Sequence, residues 1–202
     1  MKTNIRNPNH PKKGSKTSVE PIRSISDLRS ITKLIQNSPR DHLLFTMGIN
    51  NGLRVGDLLK LKVKEVIGLK TGGFVRIIEE KTKKPNVLVI NKPVYKALMS
   101  YLEKNSPKDS SYLFQSRKGQ NRPLTIQAVN NLVKKWAKEI NLKGNFGAHS
   151  LRKTWGYQQR VHFGVGFEVI AKRFNHSNPA VTMRYLGIED KEVTDVLMNE
   201  IS

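Results

Sequence analysis

A histidine and an arginine three residues apart open the stretch GAHSLRKTWGYQQR, which covers residues 147–160. Because an α-helix has 3.6 residues per turn, His149 and Arg152 are predicted to lie side by side on one helix face. Imidazole exchanges protons near neutral pH, whereas a guanidinium keeps its charge. The pair therefore suits acid–base chemistry on an anion, although a basic surface helix would also contain such a pair.

A second arginine follows a glycine-ended helix in the stretch GLRVGDLLKL. Asp57 comes three residues after Arg54 and is therefore within reach to hold its guanidinium by charge-assisted hydrogen bonds. Taken alone, the same two residues form an ordinary surface salt bridge in most proteins. The pair becomes informative only together with other residues of suitable chemistry.

Three lysines cluster in the stretch EEKTKK, where a β-hairpin is predicted to turn. Lys81 is placed at the tip of this hairpin, beside Lys83 and Lys84. A lysine at a loop tip can reach a DNA groove or backbone, but a single such lysine is more often simply solvated.

The stretch RFNHSNPAVTMRYLG contains His176 at a helix end and Tyr185 nine residues later, with Arg184 beside the tyrosine. A lone histidine in this position is usually a capping or core group, and a lone tyrosine usually a packing residue. Singly, these signals are weak.

The chain is strongly basic, since 36 Lys and Arg residues against 16 Asp and Glu residues give a net charge of +20. Such a charge favours a polyanionic partner, most simply nucleic acid. A ribosomal-type RNA binder and a merely basic soluble protein are the alternatives. No cysteine is present, which excludes disulfides and thiolate metal sites. Because the sequence contains neither a long apolar run nor a signal-peptide pattern, we expect a cytoplasmic or nucleoid-associated protein with no membrane partner.

Helical spacing of apolar residues dominates the chain. The pattern predicts a first helix, DLRSITKLIQ, with Ser26 as its N-cap, and a second, RDHLLFTMGI, which ends at Gly52. A short helical turn is expected at residues 57–60. After Pro93 we expect the helices VYKALMSYLEK and TIQAVNNLVKKWAKEI, one opened by His149, one over residues 167–173, one carrying Tyr185, and a last one over residues 189–201.

Three β-rich runs, VKEVIGL, GFVRIIEEK and NVLVI, predict a small antiparallel sheet of three strands. The predicted fold class is therefore α+β, mainly α with a small three-stranded antiparallel sheet. Residues 1–24 are rich in Asn, Pro, Lys and Ser and are expected to be a flexible basic arm that tracks phosphates. Residues 25–187 are expected to form one folded domain, and residues 188–202 a final helix.

The candidate residues follow one another in a specific order. The chain contains GLR, the hairpin lysine, H-S-L-R, and N-H-S followed by T-x-x-Y, with spacing that covers nearly the whole folded region. From about residue 25 to residue 202 it resembles the catalytic domain of the tyrosine recombinase (phage integrase) family. This resemblance implies the tyrosine recombinase catalytic-domain fold, of the DNA breaking-rejoining type, for residues 25–187.

The resemblance also implies an activity: site-specific cleavage and rejoining of double-stranded DNA through a 3′-phosphotyrosine, with no metal, ATP or other cofactor. Tyr185 would be the nucleophile, and Arg54 and Arg152 would bind the phosphate. His149 would be the acid–base group, and Lys81 would donate a proton to the departing 5′-oxygen. His176 would donate a hydrogen bond to the phosphate, and Asp57 would orient the arginines. Further DNA contacts are expected from basic residues of the arm, the hairpin and the tyrosine helix: Lys12, Lys13, Lys16, Lys83, Lys84 and Arg184.

The sequence also departs from the family pattern. Only about 24 residues precede the catalytic region, where most members have a separate helical domain, so a short family member or an excised domain is expected. Asn175 replaces a common glycine at a helix end, and we expect it to keep a left-handed backbone. Asp57 replaces a commoner Glu, and Lys83 is a modest rival to Lys81.

The final helix is acidic on an otherwise basic chain and carries one apolar stripe at Val193, Val196, Leu197 and Ile201. The resemblance suggests that this helix docks on a neighbouring protomer in a tetramer on synapsed sites, with accessory DNA-bending proteins as further partners. Packing on its own domain is the simpler alternative.

Two rival functions remain. A type IB topoisomerase would use the same chemistry to relax any supercoiled DNA without paired sites. A non-enzymatic DNA-binding regulator could use TIQAVNNLVKKWAKEI as a recognition helix, but that hypothesis leaves the six ordered candidate residues unexplained.

Overall fold

The computed structural model of the chain describes residues 18–188, together with residues 198 and 200. Within them, two strands form one antiparallel hairpin, β1 (Phe74–Ile78) and β2 (Pro85–Val89). The helices are α1 (Ile25–Ile35), α2 (Pro39–Asn51), α3 (Val55–Leu58), α4 (Val63–Val66), α5 (Lys92–Asn105), α6 (Ile126–Glu139), α7 (Ala148–Phe163), α8 (Phe167–Phe174) and α9 (Pro179–Leu186). The mainly helical α+β fold is thus confirmed.

The predicted third strand is wrong, because VKEVIGL begins with the short helix α4. Val63 and Val66 are both fully buried, and their spacing of three places them on one helix face. The Glu65 carboxylate accepts a hydrogen bond of 2.7 Å from the backbone N–H of Lys62, which closes the first helical turn. Apolar content alone did not distinguish this short helix from a strand.

The helix boundaries follow local capping chemistry. Ser24, and not Ser26, caps α1, since its hydroxyl accepts from the backbone N–H groups of Ser26 and Asp27. Pro39 opens α2, and Gly52 ends that helix in a left-handed conformation with φ of 59°. The helix stop expected at Gly52 is therefore confirmed.

The main core surrounds α2, which packs against α5 and α7. Its Leu43, Leu44, Phe45 and Met47 side chains are all fully buried. A second, smaller core consists of Ile170, Phe174, Leu186 and Ile188 and holds α8 and α9 together beside α7. The helix that carries the candidate nucleophile is thus attached to α7 and α8 by a few apolar side chains.

Residues 18–24, which the sequence places in a flexible arm, pack along α7 in this structure. Ile22 is 1% exposed, and its backbone N–H donates to the Thr154 hydroxyl at 2.8 Å. The Gln158 amide donates to the carbonyl oxygens of Ile22 and Arg23. This extended segment is therefore part of the folded domain.

Several predictions lie outside the described residues. These are the arm lysines Lys12, Lys13 and Lys16, and the final helix beyond residue 188 with its apolar stripe. No helix in the described part of the chain is both long and apolar enough to cross a membrane.

Candidate active site

Helix α7 places the histidine–arginine pair at its start. His149 lies in the first turn and is exposed, whereas Arg152 is only 2% exposed. The Arg152 guanidinium donates to the carbonyl oxygen of Gly52 at 2.9 Å and to that of Phe174 at 2.7 Å, and it stacks over the Phe174 ring at 4.4 Å. These contacts fix the guanidinium, and burial lowers its pKa to about 10, so it remains charged at neutral pH.

Gly52 brings the second arginine to the same place. Its φ of 59° is a left-handed conformation, and a Cβ atom there would lie 2.5 Å from a ring carbon of Trp155. The turn made by this glycine delivers Arg54 directly to the start of α3. Arg54 then donates to a Glu79 carboxylate oxygen at 2.6 Å.

Glu79 forms ion pairs with both arginines, and its role in the site was not predicted from the sequence. Its side chain is fully buried, with one oxygen bonded to Arg54 and the other 3.7 Å from Arg152. Thr82 and Asn86 also donate to it, at 2.6 Å and 3.0 Å. Burial alone would raise the pKa of Glu79, but hydrogen bonds from Thr82, Arg54 and Asn86 outweigh this effect and lower it to about 2. The carboxylate is therefore ionised and holds both cations.

A periodic signal in the sequence could have identified Glu79. Side chains alternate between the two faces of a strand, so Val75, Ile77 and Glu79 share one face at the end of β1. Val75 and Ile77 pack against the main core. An acidic residue that continues this inward series is predicted to be buried and to require a cationic partner.

Asp57 does not make the expected contact with an arginine. It is 4% exposed, and its Oδ1 accepts the backbone N–H of Glu80 at 2.9 Å. Its other oxygen has no hydrogen-bond partner among the described residues. Asp57 thus holds the backbone next to Glu79, and Glu79 makes the direct contact with the arginines.

The hairpin turn places its lysines at the protein surface. Backbone hydrogen bonds between Glu79 and the Lys83–Lys84 pair close the turn, with Lys83 in a left-handed conformation at φ of 57°. Lys81 is exposed at the tip, and its charge is one of those that lower the pKa of His149. Lys83 and Lys84 are exposed beside it.

The end of α8 positions the second histidine and the tyrosine. Asn175 has a φ of 54°, so the predicted left-handed turn is confirmed. His176 contacts the Thr182 hydroxyl through Nδ1 at 2.9 Å, and its ring meets the Tyr185 ring edge-to-face at a centroid distance of 5.2 Å. Burial raises the pKa of the Tyr185 phenol, whereas the charges of Arg152 and Arg54 oppose that rise.

The pKa values of both candidate-site histidines favour the neutral imidazole. Burial, followed by the charges of Arg152 and Arg54, lowers the pKa of His176 to about 4. Loss of water around the His149 ring, followed by the charges of Arg152 and Arg54, also lowers the pKa of His149 below 6.5. Neutral imidazoles can accept a proton or donate one N–H hydrogen bond.

Arg173 is another residue that the sequence did not single out. It donates to the backbone carbonyls of Asn51 and Val87 and lies over the Trp155 ring at 5.9 Å. It therefore ties α8 to α2 and to β2 underneath the site. Arg184 is exposed on α9, next to the tyrosine.

The structure thus brings together the side chains of Arg54, Arg152, His176 and Tyr185, with His149 and Lys81 at the edge. Two neighbouring guanidiniums have the charge and the donors that suit a phosphate group, and a phenol and neutral imidazoles lie near them. In the described ranges, no three His, Asp or Glu side chains are grouped to share a metal ion.

Comparisons with known proteins agree with this geometry. Residues 24–192 match the sequence model of the phage integrase family. The probable integrase/recombinase YoeC of Bacillus subtilis is 34% identical over 176 residues, which cover 85% of this chain and 91% of YoeC. Tyrosine recombinase XerC of Caldanaerobacter subterraneus is 28% identical over 162 residues, 78% of this chain but 44% of XerC. The chain thus spans nearly all of one relative and less than half of the other.

Solved structures show the same fold at lower identity. The crystal structure of XerA recombinase superposes with a TM-score of 0.72 at 19% identity, covering 90% of this chain and 67% of XerA. XerH recombinase, bound to its palindromic difH substrate after cleavage, gives 0.71 at 18% identity, covering 93% of this chain and 55% of XerH. With the family match over most of its length, this chain belongs to the phage integrase family of tyrosine recombinases.

Proposed function

We propose that this chain is a site-specific recombinase that cleaves and rejoins double-stranded DNA through a 3′-phosphotyrosine formed on Tyr185. The observation that carries the proposal is that four parts of the fold meet at one site: the start of α3 with Arg54, the end of β1 with Glu79, α7 with Arg152 and α9 with Tyr185. The two arginines that share Glu79 lie near Tyr185, because Arg152 stacks on the Phe174 ring and that ring meets the Tyr185 ring at a centroid distance of 5.6 Å.

The arginines supply the binding of the scissile phosphate. Negative charge grows on the non-bridging oxygens as the phosphorus becomes pentacoordinate, and fixed guanidinium donors stabilise that charge. Two Arg152 donors are already used by backbone carbonyls, so the guanidinium cannot rotate when DNA arrives. The remaining N–H groups of Arg152 and Arg54 would bind the phosphate.

The proton transfers balance with the residues present. The Tyr185 oxygen attacks phosphorus while the bond from phosphorus to the 5′-oxygen breaks. Neutral His149 accepts the phenol proton, and Lys81 donates a proton to the departing 5′-oxygen. If Thr182 donates to Nδ1 of His176, the proton of that ring is on Nε2, which then donates to a phosphate oxygen. Ligation reverses these steps, since the phosphotyrosine conserves the bond energy and no ATP is consumed.

The partner in this proposal is double-stranded DNA, in keeping with the net charge of +20 and with the DNA-bound XerH structure. Lys83, Lys84 and Arg184 would contact its backbone around the site. We further propose a tetramer on two synapsed sites, assisted by DNA-bending proteins, at the nucleoid.

Covalent trapping tests the proposal. A pool of random-sequence duplexes, each with a nick that lets the short 5′-hydroxyl fragment diffuse away, is incubated with wild type and with Tyr185→Phe in EDTA. We expect a denaturation-resistant adduct with wild type alone, and sequencing of the trapped DNA identifies the preferred site. DNA binding without any adduct would contradict the proposed activity.

Relaxation of supercoiled plasmids distinguishes recombination from a type IB topoisomerase. We expect little relaxation of a plasmid that lacks the selected site and recombination between two plasmids that contain it. Efficient relaxation of any plasmid would favour the topoisomerase instead.

A further inference from the structure

Lys153, the residue after Arg152 on α7, is a buried cation that the proposed reaction does not use. It is 7% exposed, although lysine is among the residues least often buried. Its Nζ atom lies 4.8 Å from the centroid of the Tyr185 ring. The same Nζ donates to the Ser18 hydroxyl at 2.9 Å.

Burial of this ammonium group is costly and therefore calls for a physical reason. Burial is the main cause that lowers the pKa of Lys153, with the charge of Glu20 acting in the opposite direction. Its close partners among the described residues are a ring face and a hydroxyl. An aromatic face attracts a cation more strongly when water is excluded from the contact.

Consecutive residues of α7 thus place two cations near Tyr185. The charge of Arg152 opposes the rise of the phenol pKa, and Lys153 lies over the ring. The rings of His176 and Phe174 also meet the Tyr185 ring edge-to-face, at centroid distances of 5.2 Å and 5.6 Å. Without Lys153, one face of the ring would lose its polar contact.

We propose that Lys153 is a positioning residue for the nucleophile, one that holds the Tyr185 ring by a cation–π contact. Ser18 fixes the ammonium group over the ring, so that residues 18–24 become part of the nucleophile's support. This inference rests on the proposed function, because it assigns Lys153 to the placement of the attacking phenol.

The rate constant for single-turnover cleavage of the nicked duplex, measured at saturating DNA, separates positioning of the nucleophile from DNA binding. Lys153→Met has similar length and no charge, Lys153→Arg keeps a cation, and Lys172→Met is the matched control, since Lys172 is exposed on the neighbouring helix α8. At saturating DNA, we expect Lys153→Met to cleave about tenfold more slowly, which corresponds to about 1.4 kcal/mol. Lys153→Arg should regain most of the rate, and Lys172→Met should match wild type.

The dissociation constant for DNA decides what a slower Lys153→Met means. We expect its affinity loss to equal that of Lys172→Met, because each variant removes one positive charge. A wild-type rate constant at saturation, or a loss confined to DNA affinity, would overturn the proposal and make Lys153 a phosphate contact or a core residue.

A second measurement works without DNA or activity, and so separates this inference from the proposed function. NMR of protein with ¹³C-labelled tyrosine rings resolves the Tyr185 signal, which Tyr185→Phe identifies among the five tyrosines. In Lys153→Met we expect this signal to shift and the phenol pKa to rise, since a cation that stabilises the phenolate is lost. An unchanged signal and titration would refute the positioning role even if the chain proved inactive.

Discussion

Glu79→Gln should destabilise the protein in a way that depends on pH. The pKa of Glu79 is lowered from an ordinary value of 4.5 to about 2, a difference of about 2.5 units. At about 1.36 kcal/mol per unit, the ionised carboxylate contributes about 3 kcal/mol to folding at pH 7. Because the pKa in the folded state is depressed, this contribution is fully present above pH 4.5 and is lost as the pH falls toward 2.

The assay is urea unfolding at pH 7 and pH 3.5, followed by the fluorescence of Trp136 and Trp155. At pH 7 we expect the unfolding free energy of Glu79→Gln to be about 3 kcal/mol lower than that of wild type. At pH 3.5, one unit below the ordinary pKa, this difference should shrink by about 1.4 kcal/mol. Glutamine has nearly the same shape but only one acceptor oxygen, whereas both Glu79 oxygens accept hydrogen bonds, so it is the pH dependence of the loss that isolates the charge.

Glu80→Gln is the matched control for this experiment. Glu80 pairs with Lys60 at 3.0 Å, but its side chain is 61% exposed. Exposed pairs contribute less than about 1 kcal/mol, so the control should remain close to wild type. An equal loss for Glu79→Gln at both pH values would refute the reasoning, since it would show that shape and not charge stabilises the arginine pair.

Four further predictions concern Arg152, Gly52, the acid–base role of His149 and the N-terminal residues. Arg152→Lys loses the fork that bonds to two buried carbonyls, and adduct formation should slow by about 100-fold or more. Gly52→Ala should lower the unfolding free energy by more than Gly68→Ala, because both glycines have positive φ but only Gly52 faces a ring at 2.5 Å; equal losses in thermal unfolding would contradict this. The acidic limb of kcat/KM against pH should have its midpoint below 6.5, since the lowered pKa of His149 keeps the base neutral at more acidic pH; a midpoint above 6.5 would remove His149 as the base. Deletion of residues 2–17 removes five cations, Lys2, Arg6, Lys12, Lys13 and Lys16, and should make log K less steep against log salt by up to about 4.5, whereas an unchanged slope would show that they do not contact phosphates.

The positions of the helices and of the ordered polar residues were predictable because local rules fix them. Gly52 and Asn175 end their helices in left-handed conformations, as their small or amide side chains predict. The helical pattern likewise predicted that His149 and Arg152 lie near the start of one helix, α7. These features depend on a few neighbouring residues in the chain.

Contacts between distant residues were harder to predict. Glu79 and Arg54 are 25 residues apart, and the hydrogen bond from the Glu80 backbone to Asp57 helps to hold this end of the hairpin next to α3. Residues 18–24 have an arm-like composition, yet Ile22 is buried against α7 through partners more than 130 residues away. Composition describes how well a segment is solvated, whereas a single buried side chain and a few backbone hydrogen bonds decide where this segment lies.

The most direct test of the central claim is the chemical identity of the covalent adduct. Trapped protein–DNA complex is digested with nuclease and protease, and mass spectrometry locates the nucleotide remnant. We predict a phosphodiester between the Tyr185 phenol oxygen and the 3′ end of the cleaved strand. A remnant on any other residue, or on the 5′ end, would contradict the assignment of Tyr185 as the nucleophile.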